Sequence, residues 1–406
     1  MLIVQKFGGT SVGDCERIQN IARRVIETRD SAKKEGGAKI VVVVSAMSGE
    51  TDKLIGYTKH FSALPNERES DKVLSTGETV TSALLAIALN ELGYKAVSMS
   101  GSVAGIRTDS VHTKAKITEI DTTNIFKYLD DDYIVVVAGF QGVGDDGFIT
   151  TLGRGGSDLS AVALAGALKA DICEIYTDVD GVFTTDPRIE SKAKKIDEIS
   201  YDEMLELASL GAKVLLNRSV EMAKKLGVKI ITRNSFNHNE GTIITNEEEI
   251  MEKPIISGIA LDRNQARVSI VDVDDKPGIA AELFSSLADS SINVDMIVQT
   301  IGRDGKTDID FTIPKTDIEL CKKILNNYKD AARGIEYDEN IAKVSIVGLG
   351  MKSHSGVASK TFSIMARENI NIMMISTSEI KISLIIDIKY AELAVRSLHS
   401  VFGLDK

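Results

Sequence analysis

The sequence predicts an α/β protein in which a mainly parallel sheet, covered by helices, is followed by two small α+β modules. Three observations carry that expectation. Apolar strand-like runs alternate with longer helix-like segments over roughly the first 245 residues. An acidic stretch, Asn246 to Glu252 followed by Pro254, then breaks the pattern with little apolar content and reads as a linker. Beyond it a segment repeats: GIAAELFSSLADSSINVDMIVQT from Gly278 lines up without gaps on GVASKTFSIMARENINIMMISTS from Gly356.

In chain order, the expected strands of the body are Ile3 to Phe7, Ile40 to Ser45, Ala96 to Ser100, Ile134 to Ala138, Ile172 to Thr177 and Lys229 to Arg233. The expected helices are Cys15 to Ala32, Glu78 to Leu92, Leu159 to Lys169, Tyr201 to Leu207 and Ser219 to Leu226. In the repeat, Phe284 and Phe362, Ser285 and Ser363, Ala288 and Ala366, and the Ile-Asn pairs beginning at Ile292 and Ile370 coincide. A strand precedes each copy, Val268 to Val271 and Val344 to Val347, so each copy reads as β-α-β-β-α. The second copy ends on the helix Tyr390 to Phe402 without a last strand, and the unpaired run Ile255 to Leu261 is expected to complete its sheet from upstream. The expected division is residues 1–246 for the body, 247–254 for the linker, 255–262 for the completing strand, and 265–340 and 341–406 for the two modules.

A net charge of −11 argues against nucleic-acid or anionic-membrane partners, which need a basic face. Three scattered cysteines, Cys15, Cys173 and Cys321, suit neither a disulfide framework nor a metal cluster, so no protein-held metal is expected. The apolar start, Leu2 to Val4, is too short for a signal segment, and the expectation is a cytoplasmic protein.

Two glycine-rich turns carry the chemistry. Lys6-Phe7-Gly8-Gly9-Thr10-Ser11-Val12-Gly13 stands where a strand passes into a helix. Its glycines let backbone amides approach a phosphate, and Lys6 adds a mobile charge; a plain tight turn is the alternative. Thr151-Leu152-Gly153-Arg154-Gly155-Gly156-Ser157-Asp158 precedes an apolar helix, with Ser157 placed as its N-cap and Arg154 offering a planar fork for a carboxylate. Thr177 to Arg188 (TDVDGVFTTDPR) follows another strand, at the end of a parallel sheet where such folds bind ligands. Two look-alikes are set aside. Gly142 to Gly147 spells GxGxxG but is followed by the strand-like Phe148 to Leu152, and Gly302 to Thr307 (GRDGKT) has too few residues between its glycines for a P-loop and reads as a hairpin turn.

KFGGTSVG at the start, SAMSGET at Ser45, STGE at Ser75, TTLGRGGSD at Thr151, TDVDGVFTTDPR at Thr177 and GAKVL at Gly211 occur in the order seen in aspartate kinases. The chain resembles that family over essentially its whole length, because the family also ends in two ACT modules. The resemblance implies an amino-acid-kinase three-layer sandwich followed by two ferredoxin-like ACT modules. It implies transfer of the γ-phosphoryl group of ATP, with Mg2+, to the side-chain carboxylate of aspartate. That attacking group, with a pKa of about 4, is ionised at neutral pH, so no general base is needed. Positive charge and positioning must instead overcome repulsion between anions.

By resemblance Lys6 stabilises the transferring group with the amides of Gly8 and Gly9, and Asp158 orients groups near Lys6. Arg154 takes the α-carboxylate and Glu78 the α-ammonium, with Ser45, Thr51, Ser157 and Asp158 lining the pocket; alone, Glu78 also fits as an acid opening a helix. Thr177, Asp178, Phe183, Asp186, Arg188 and Lys213 lie on the ATP side. Phe183 stands where the family often has another aromatic. Leu216 and Asn217 depart from the His-containing form of the GAKVL motif, whereas Arg218 to Glu221 match its other branch.

The ACT modules imply inhibition by lysine, alone or with threonine. The effector is expected among Asp275, Lys276, Pro277, Gly278, Ile279, Ala280, Asn293, Asp295 and Gln299 of the first copy and Asn371, Ile372, Ser376, Thr377 and Ser378 of the second. Amides at a helix start would take its carboxylate and Asp295 its ammonium group; modules that only hold a dimer are the alternative. A homo-oligomer through the ACT sheets is expected, since exposed sheet edges tend to pair. Met251 stands where a separately made regulatory subunit would start. N-acetylglutamate, glutamate, carbamate and uridylate kinases share the lysine and glycine-rich start but lack the repeat. A non-catalytic sensor would have no physical need of Lys6, Glu78, Arg154 and Asp158 together. The sequence ends after the second repeat, so a monofunctional enzyme without an appended dehydrogenase is expected.

Overall fold

A computed structural model describes residues 1–31, 37–209, 214–250, 254–301, 305–328, 332–352, 354 and 356–406. These form two compact units: Met1–Val182, Lys195–Ala208 and Lys213–Glu252 make the first, and Phe183–Lys194, Ser209–Ala212 and Lys253–Lys406 the second.

In the first unit the chain runs β1 (Leu2–Phe7), α1 (Cys15–Ser31), β2 (Lys39–Val44), α2 (Glu50–Phe61), α3 (Glu67–Leu74), α4 (Thr76–Glu91), β3 (Ala96–Met99), β4 (Ile106–Thr108), β5 (Ile117–Ile120) and α5 (Thr123–Asp130). It continues through β6 (Ile134–Ala138), β7 (Gln141–Gly144), β8 (Ile149–Thr151), α6 (Gly156–Leu168), β9 (Ile172–Thr177), β10 (Glu198–Ser200), α7 (Tyr201–Ser209), α8 (Asn217–Leu226), β11 (Ile230–Asn234) and β12 (Thr242–Thr245). Eight strands form one sheet in the order β10-β12-β11-β9-β1-β2-β6-β3, parallel throughout except where β11 meets β12. The central strands are buried on both faces, which is why β2 reads KIVVVV and β6 IVVVA rather than alternating. Helix α1 lays Ile18, Ile21, Ala22 and Val25 on the sheet at helical spacing. Helix α6 is buried nearly all round, and Gly166 admits Leu226 of α8: a Cβ there would come within 2.5 Å of the leucine Cδ1.

A second, small sheet, β5-β4-β7-β8, stands beside the main one. Gly142 to Gly147 spans β7 and the turn into antiparallel β8, so it is a hairpin and not a dinucleotide loop. Helices α3 and α4 run together from Glu67 to Glu91, long and apolar enough to cross a membrane, yet half of the apolar window is buried inside the protein. Helix α4 starts at Thr76, two residues before the expected Glu78, because Ser75 keeps helical dihedrals and lets α3 run on.

The second unit holds β13 (Gly258–Asp262), β14 (Gln265–Asp274), α9 (Ile279–Asp289), β15 (Ile297–Ile301), β16 (Lys306–Pro314), α10 (Ile318–Leu325), β17 (Gly334–Asp338), β18 (Ile341–Val347), α11 (Val357–Arg367), β19 (Ile372–Thr377), β20 (Lys381–Asp387) and α12 (Ala391–Val401). Its strands make two antiparallel sheets, β15-β16-β14-β17 and β13-β18-β20-β19. The first copy closes its sheet with its own β17, whereas the second uses β13, which lies upstream of both and pairs with β18 from Gly258↔Val347 to Asp262↔Lys343. The repeat extends to backbone conformation. Gly278 and Gly356 are left-handed before α9 and α11, at φ 103° and 99°, and the corresponding Ser291 and Asn369 are left-handed after those helices, at φ 60° and 55°. Residues 302–304 of GRDGKT lie outside the described residues; the strands on either side pair antiparallel.

One assignment changes. The loop Phe183–Lys194, read with the body, belongs to the second unit: the Ile259 amide donates to the Thr184 carbonyl at 2.7 Å, Thr184 Oγ1 and His399 Nε2 share a 2.9 Å hydrogen bond, and Ile189 packs on the core of the second ACT copy.

Candidate active site

The carboxyl ends of β9, β1, β2 and β6 lie side by side, knitted by the Gly8 amide on the Tyr176 carbonyl, the Ser45 amide on Phe7 and the Gly139 amide on Val44. Loops leaving such ends are where open α/β sheets hold ligands. Lys6, the penultimate residue of β1, turns its ammonium toward α6 and meets Asp158 Oδ1 at 2.6 Å, both side chains being almost buried. Asp158 lies in the first turn of α6, where the helix dipole favours an acid. A Cβ at Gly8 would stand 3.4 Å from Lys6 Nζ and one at Gly9 3.1 Å from the Ala46 carbonyl, so the backbone of this turn is packed directly against its neighbours.

Ser157 is not the N-cap. Gly155, left-handed at φ 69°, turns the chain and α6 begins at Gly156, so Ser157 lies inside the helix and is buried. It fills the space beside Gly139, whose Cβ would come within 2.9 Å of it. Arg154, between left-handed Gly153 and Gly155, is exposed and makes no ion pair among the described residues.

Glu78, in the first turn of α4, is only 4% exposed. Gly77 makes this possible by lying flat on the loop after β2, where a Cβ would meet that of Ala46 at 2.8 Å. The amides of Ala46 and of Glu78 itself donate to the carboxylate, while among the described residues Oε2 has no hydrogen-bond partner and no cation pairs with it. Burial pushes its pKa up to about 7, the two amides holding it back. Ser45, on the same loop, and Thr51, in the first turn of α2, are both half-buried.

Of the residues expected on the ATP side, Thr177 ends β9 and Asp178 is exposed just beyond it, in the first unit. Phe183, Asp186 and Arg188 belong to the second unit, where Asp186 and Arg188 form a two-pronged ion pair closing at 2.7 Å that holds the Asp186 carboxyl below its ordinary range. Lys213 lies outside the described residues.

In the ACT unit, Gly278 opens α9 with Ile279 and Ala280 behind it, and Asp275, Lys276 and Pro277 are exposed before it. Asn293 and Gln299 are exposed, and Asp295 is paired with buried Lys343 of β18, so a ligand ammonium group there would share the carboxylate with a lysine. In the second copy a cavity of about 650 Å3 opens at the start of α11, lined by Gly356, Val357, Thr377 and Ser378 among others; Asn371 and Ile372 stand at the start of β19, and Ser376 is half-buried near its end.

Sequence reasoning missed the polar contacts that buried Asp71 and Glu174 and half-buried Arg218 make around these turns. Asp71 of α3 is fully buried and accepts from His112, Thr113 and Thr151. Arg218 donates to the carbonyls of Leu152 and Ala115 at 2.8 and 3.2 Å. Glu174 accepts from Gln5 and Tyr176. The signal for Asp71 lay in its register, since Asp71, Leu74, Ser75 and Glu78 are spaced i, i+3, i+4, i+7 along one helical face.

The sequence matches the amino acid kinase family over residues 1–234 and the ACT domain over 268–328 and again over 344–402. Fold and family matches together define an amino acid kinase carrying two ACT modules. Over its full length the chain is 66% identical to the aspartokinase of Helicobacter pylori, all of which it covers, and 54% identical to an aspartate kinase of Stutzerimonas stutzeri, of which it covers 98%. It superposes on Escherichia coli aspartokinase III in complex with aspartate and ADP with a TM-score of 0.83 at 26% identity, covering 99% of both chains. The chain belongs to the aspartokinase family.

Proposed function

We propose that this chain uses ATP to phosphorylate the side-chain carboxylate of aspartate, giving 4-phospho-L-aspartate, the first step toward lysine, threonine and methionine. The observation that carries the reading is the arrangement at the sheet's carboxyl edge: the Lys6–Asp158 pair at 2.6 Å, with Glu78 in the first turn of α4 and Arg154 in the turn before α6, neither of them in an ion pair among the described residues. Lys6, with the amide of Gly9, stabilises negative charge on the phosphoryl group in transfer, and Asp158 holds the ammonium in place; the Gly8 amide, expected to help, is engaged by the Tyr176 carbonyl at 3.2 Å. Glu78 takes the α-ammonium of aspartate and Arg154 its α-carboxylate, leaving the side-chain carboxylate as the nucleophile. Ser45, Thr51 and Ser157 line that pocket, and Thr177 and Asp178 stand on the nucleotide side.

Among the described residues no group of three or more His, Cys, Asp or Glu side chains is placed to hold a metal ion. Mg2+ is read as arriving with ATP, and no step is assigned to it.

The ACT modules bind lysine, alone or with threonine, and lower activity. Escherichia coli aspartokinase III in complex with lysine and aspartate, in its T-state, matches this chain with a TM-score of 0.80 at 26% identity. The protein acts in the cytoplasm as a homo-oligomer joined through its ACT sheets. Met251, outside the described residues, is the start of a separate regulatory subunit in this reading, and a single full-length band on purification from the native source would remove that part.

An ATP-dependent hydroxylamine-trapping assay tests the substrate, because an acyl phosphate is caught as its hydroxamate. Trapping is expected with aspartate and not with glutamate, N-acetylglutamate or carbamate; trapping with one of those alone would replace the proposal by another kinase of this fold. No trapping with any of them would favour a sensor without catalysis.

A further inference from the structure

Buried Asp71 has no part in the roles assigned above, yet it lies between the helix that carries Glu78 and the turn that carries Arg154. It belongs to α3, which runs straight into α4 and so shares a helical run with Glu78. Its carboxylate accepts from Thr151 Oγ1 at 2.5 Å, from the Thr113 amide at 3.0 Å and from His112 Nδ1 at 2.8 Å. A carboxylate offers only acceptors, so His112 carries its proton on Nδ1. Its Nε2 faces Asp146 at 3.9 Å. No lysine or arginine pairs with Asp71 among the described residues; its carboxylate oxygens, with no solvent exposure, are satisfied by the donors of Thr151, Thr113 and His112.

Those hydrogen bonds converge on the turn of Arg154. Thr151 is the last residue of β8 and stands three positions before Arg154. The next carbonyl, of Leu152, is gripped by Arg218, which also holds the Ala115 carbonyl, and the Ala115 amide returns to the Thr151 carbonyl at 3.0 Å. Gly153 packs against Thr113, whose carbonyl would be 3.2 Å from a Cβ at that position. Gly153 and Gly155 are both left-handed and impose no side-chain direction of their own, so the aim of Arg154 depends on these anchors.

We propose that Asp71 is a positioning residue that ties the Arg154 turn to the helix bearing Glu78 and thereby sets the separation of the cation and anion that hold the two ends of an α-amino acid. The inference rests on the reading of Arg154 and Glu78 as substrate anchors.

The test is steady-state kinetics on the full-length enzyme with Asp71→Asn, Thr151→Val and Thr151→Ser, with Tm measured in parallel. Thr151→Val removes the hydroxyl and keeps the shape, so it serves where Asp71→Asn fails to fold. The expected result is a KM for aspartate raised about tenfold in Asp71→Asn and about fivefold in Thr151→Val, with kcat and the KM for ATP within about twofold, since only substrate alignment is loosened. Thr151→Ser should restore the KM by returning the hydroxyl. A lowered Tm with the aspartate KM unchanged, in whichever of the two disrupting variants folds, would make Asp71 a structural residue only and overturn the inference. Arg154→Ala separates the two levels: if it leaves the aspartate KM unchanged, the anchor reading itself fails, whatever Asp71 does.

Discussion

The two ends of the candidate site are electrostatically opposite. At the transfer end, Lys6 and Asp158 are already paired, almost buried and held by a strand and a helix of the core. At the recognition end, among the described residues, Glu78 is buried with an oxygen that has no hydrogen-bond partner and Arg154 stands exposed without an ion pair. The first is preorganised, so its charge costs no rearrangement when the phosphoryl group moves. The second is incomplete, and an amino acid supplies the ammonium and carboxylate that complete it. The difference teaches that this protein assembles its chemistry in the fold and leaves charge compensation of the pocket to the substrate.

Breaking the paired end should have the largest effect. Lys6→Ala is expected to lower kcat by about 10³-fold with aspartate affinity changed less than about threefold, because the lost charge acts where phosphoryl charge develops. An unchanged kcat in a steady-state assay would remove Lys6 from the mechanism. At the incomplete end, Arg154→Ala is expected to raise the KM for aspartate by about 10- to 100-fold through loss of a charged hydrogen bond, with a smaller change in kcat. Unaltered aspartate affinity in a calorimetric titration would reassign the residue.

The uncompensated Glu78 predicts a pH effect of defined sign. Its folded pKa is raised from 4.5 to about 7, so the native state binds a proton that the unfolded state releases between those values. The fold is therefore spared the cost of a buried charge below pH 4.5 and loses stability as pH rises through about 7, by roughly 3 kcal/mol in all. Glu78→Gln should flatten that dependence and raise Tm at pH 8 while weakening aspartate binding. The substrate ammonium needs the ionised form, so the KM for aspartate should rise by close to tenfold per pH unit below about pH 7. A KM profile flat from pH 5.5 to 8 would show that Glu78 does not receive that ammonium.

The smallest effect on uninhibited velocity is expected in the ACT unit. Asn293→Ala should leave velocity without effector within about twofold and shift inhibition by lysine, alone or with threonine, to higher concentration, as a coupling of about 1–3 kcal/mol allows. Asp295→Ala should do the same and also lower Tm, because buried Lys343 loses its partner. If neither amino acid at millimolar concentration changes wild-type velocity, the regulatory proposal fails and the kinase proposal stands.

The legible parts of the fold were those whose burial is complete. β6 and β9 have the bounds expected from their apolar runs, since strands covered on both faces need no alternation and turn residues delimit them. The repeat showed because two modules with the same core demand the same spacing. What escaped were elements stabilised by tertiary contact. Helix α3, ERESDKVL, looks like a charged loop until Asn66 caps it and Asp71 finds Thr151. The strands of the small sheet are three or four residues long, and β7 carries two glycines in QGVG. Ser157 was misread as a cap because a left-handed glycine two residues earlier starts the helix first. The motifs named the candidate residues and the resemblance implied that Asp158 lies near Lys6, but their pairing joins positions far apart in sequence, and the strand order with the helix α6 after β8 sets its geometry.

The contrast between a paired and an incomplete end is tested most directly by titrating aspartate calorimetrically into wild type, Lys6→Ala and Glu78→Gln at pH 8. The account predicts affinity within about threefold of wild type for Lys6→Ala and a loss of about tenfold or more for Glu78→Gln, because only the second removes a charge the substrate must complete. Equal affinity for wild type and Glu78→Gln, with binding lost in Lys6→Ala, would contradict it.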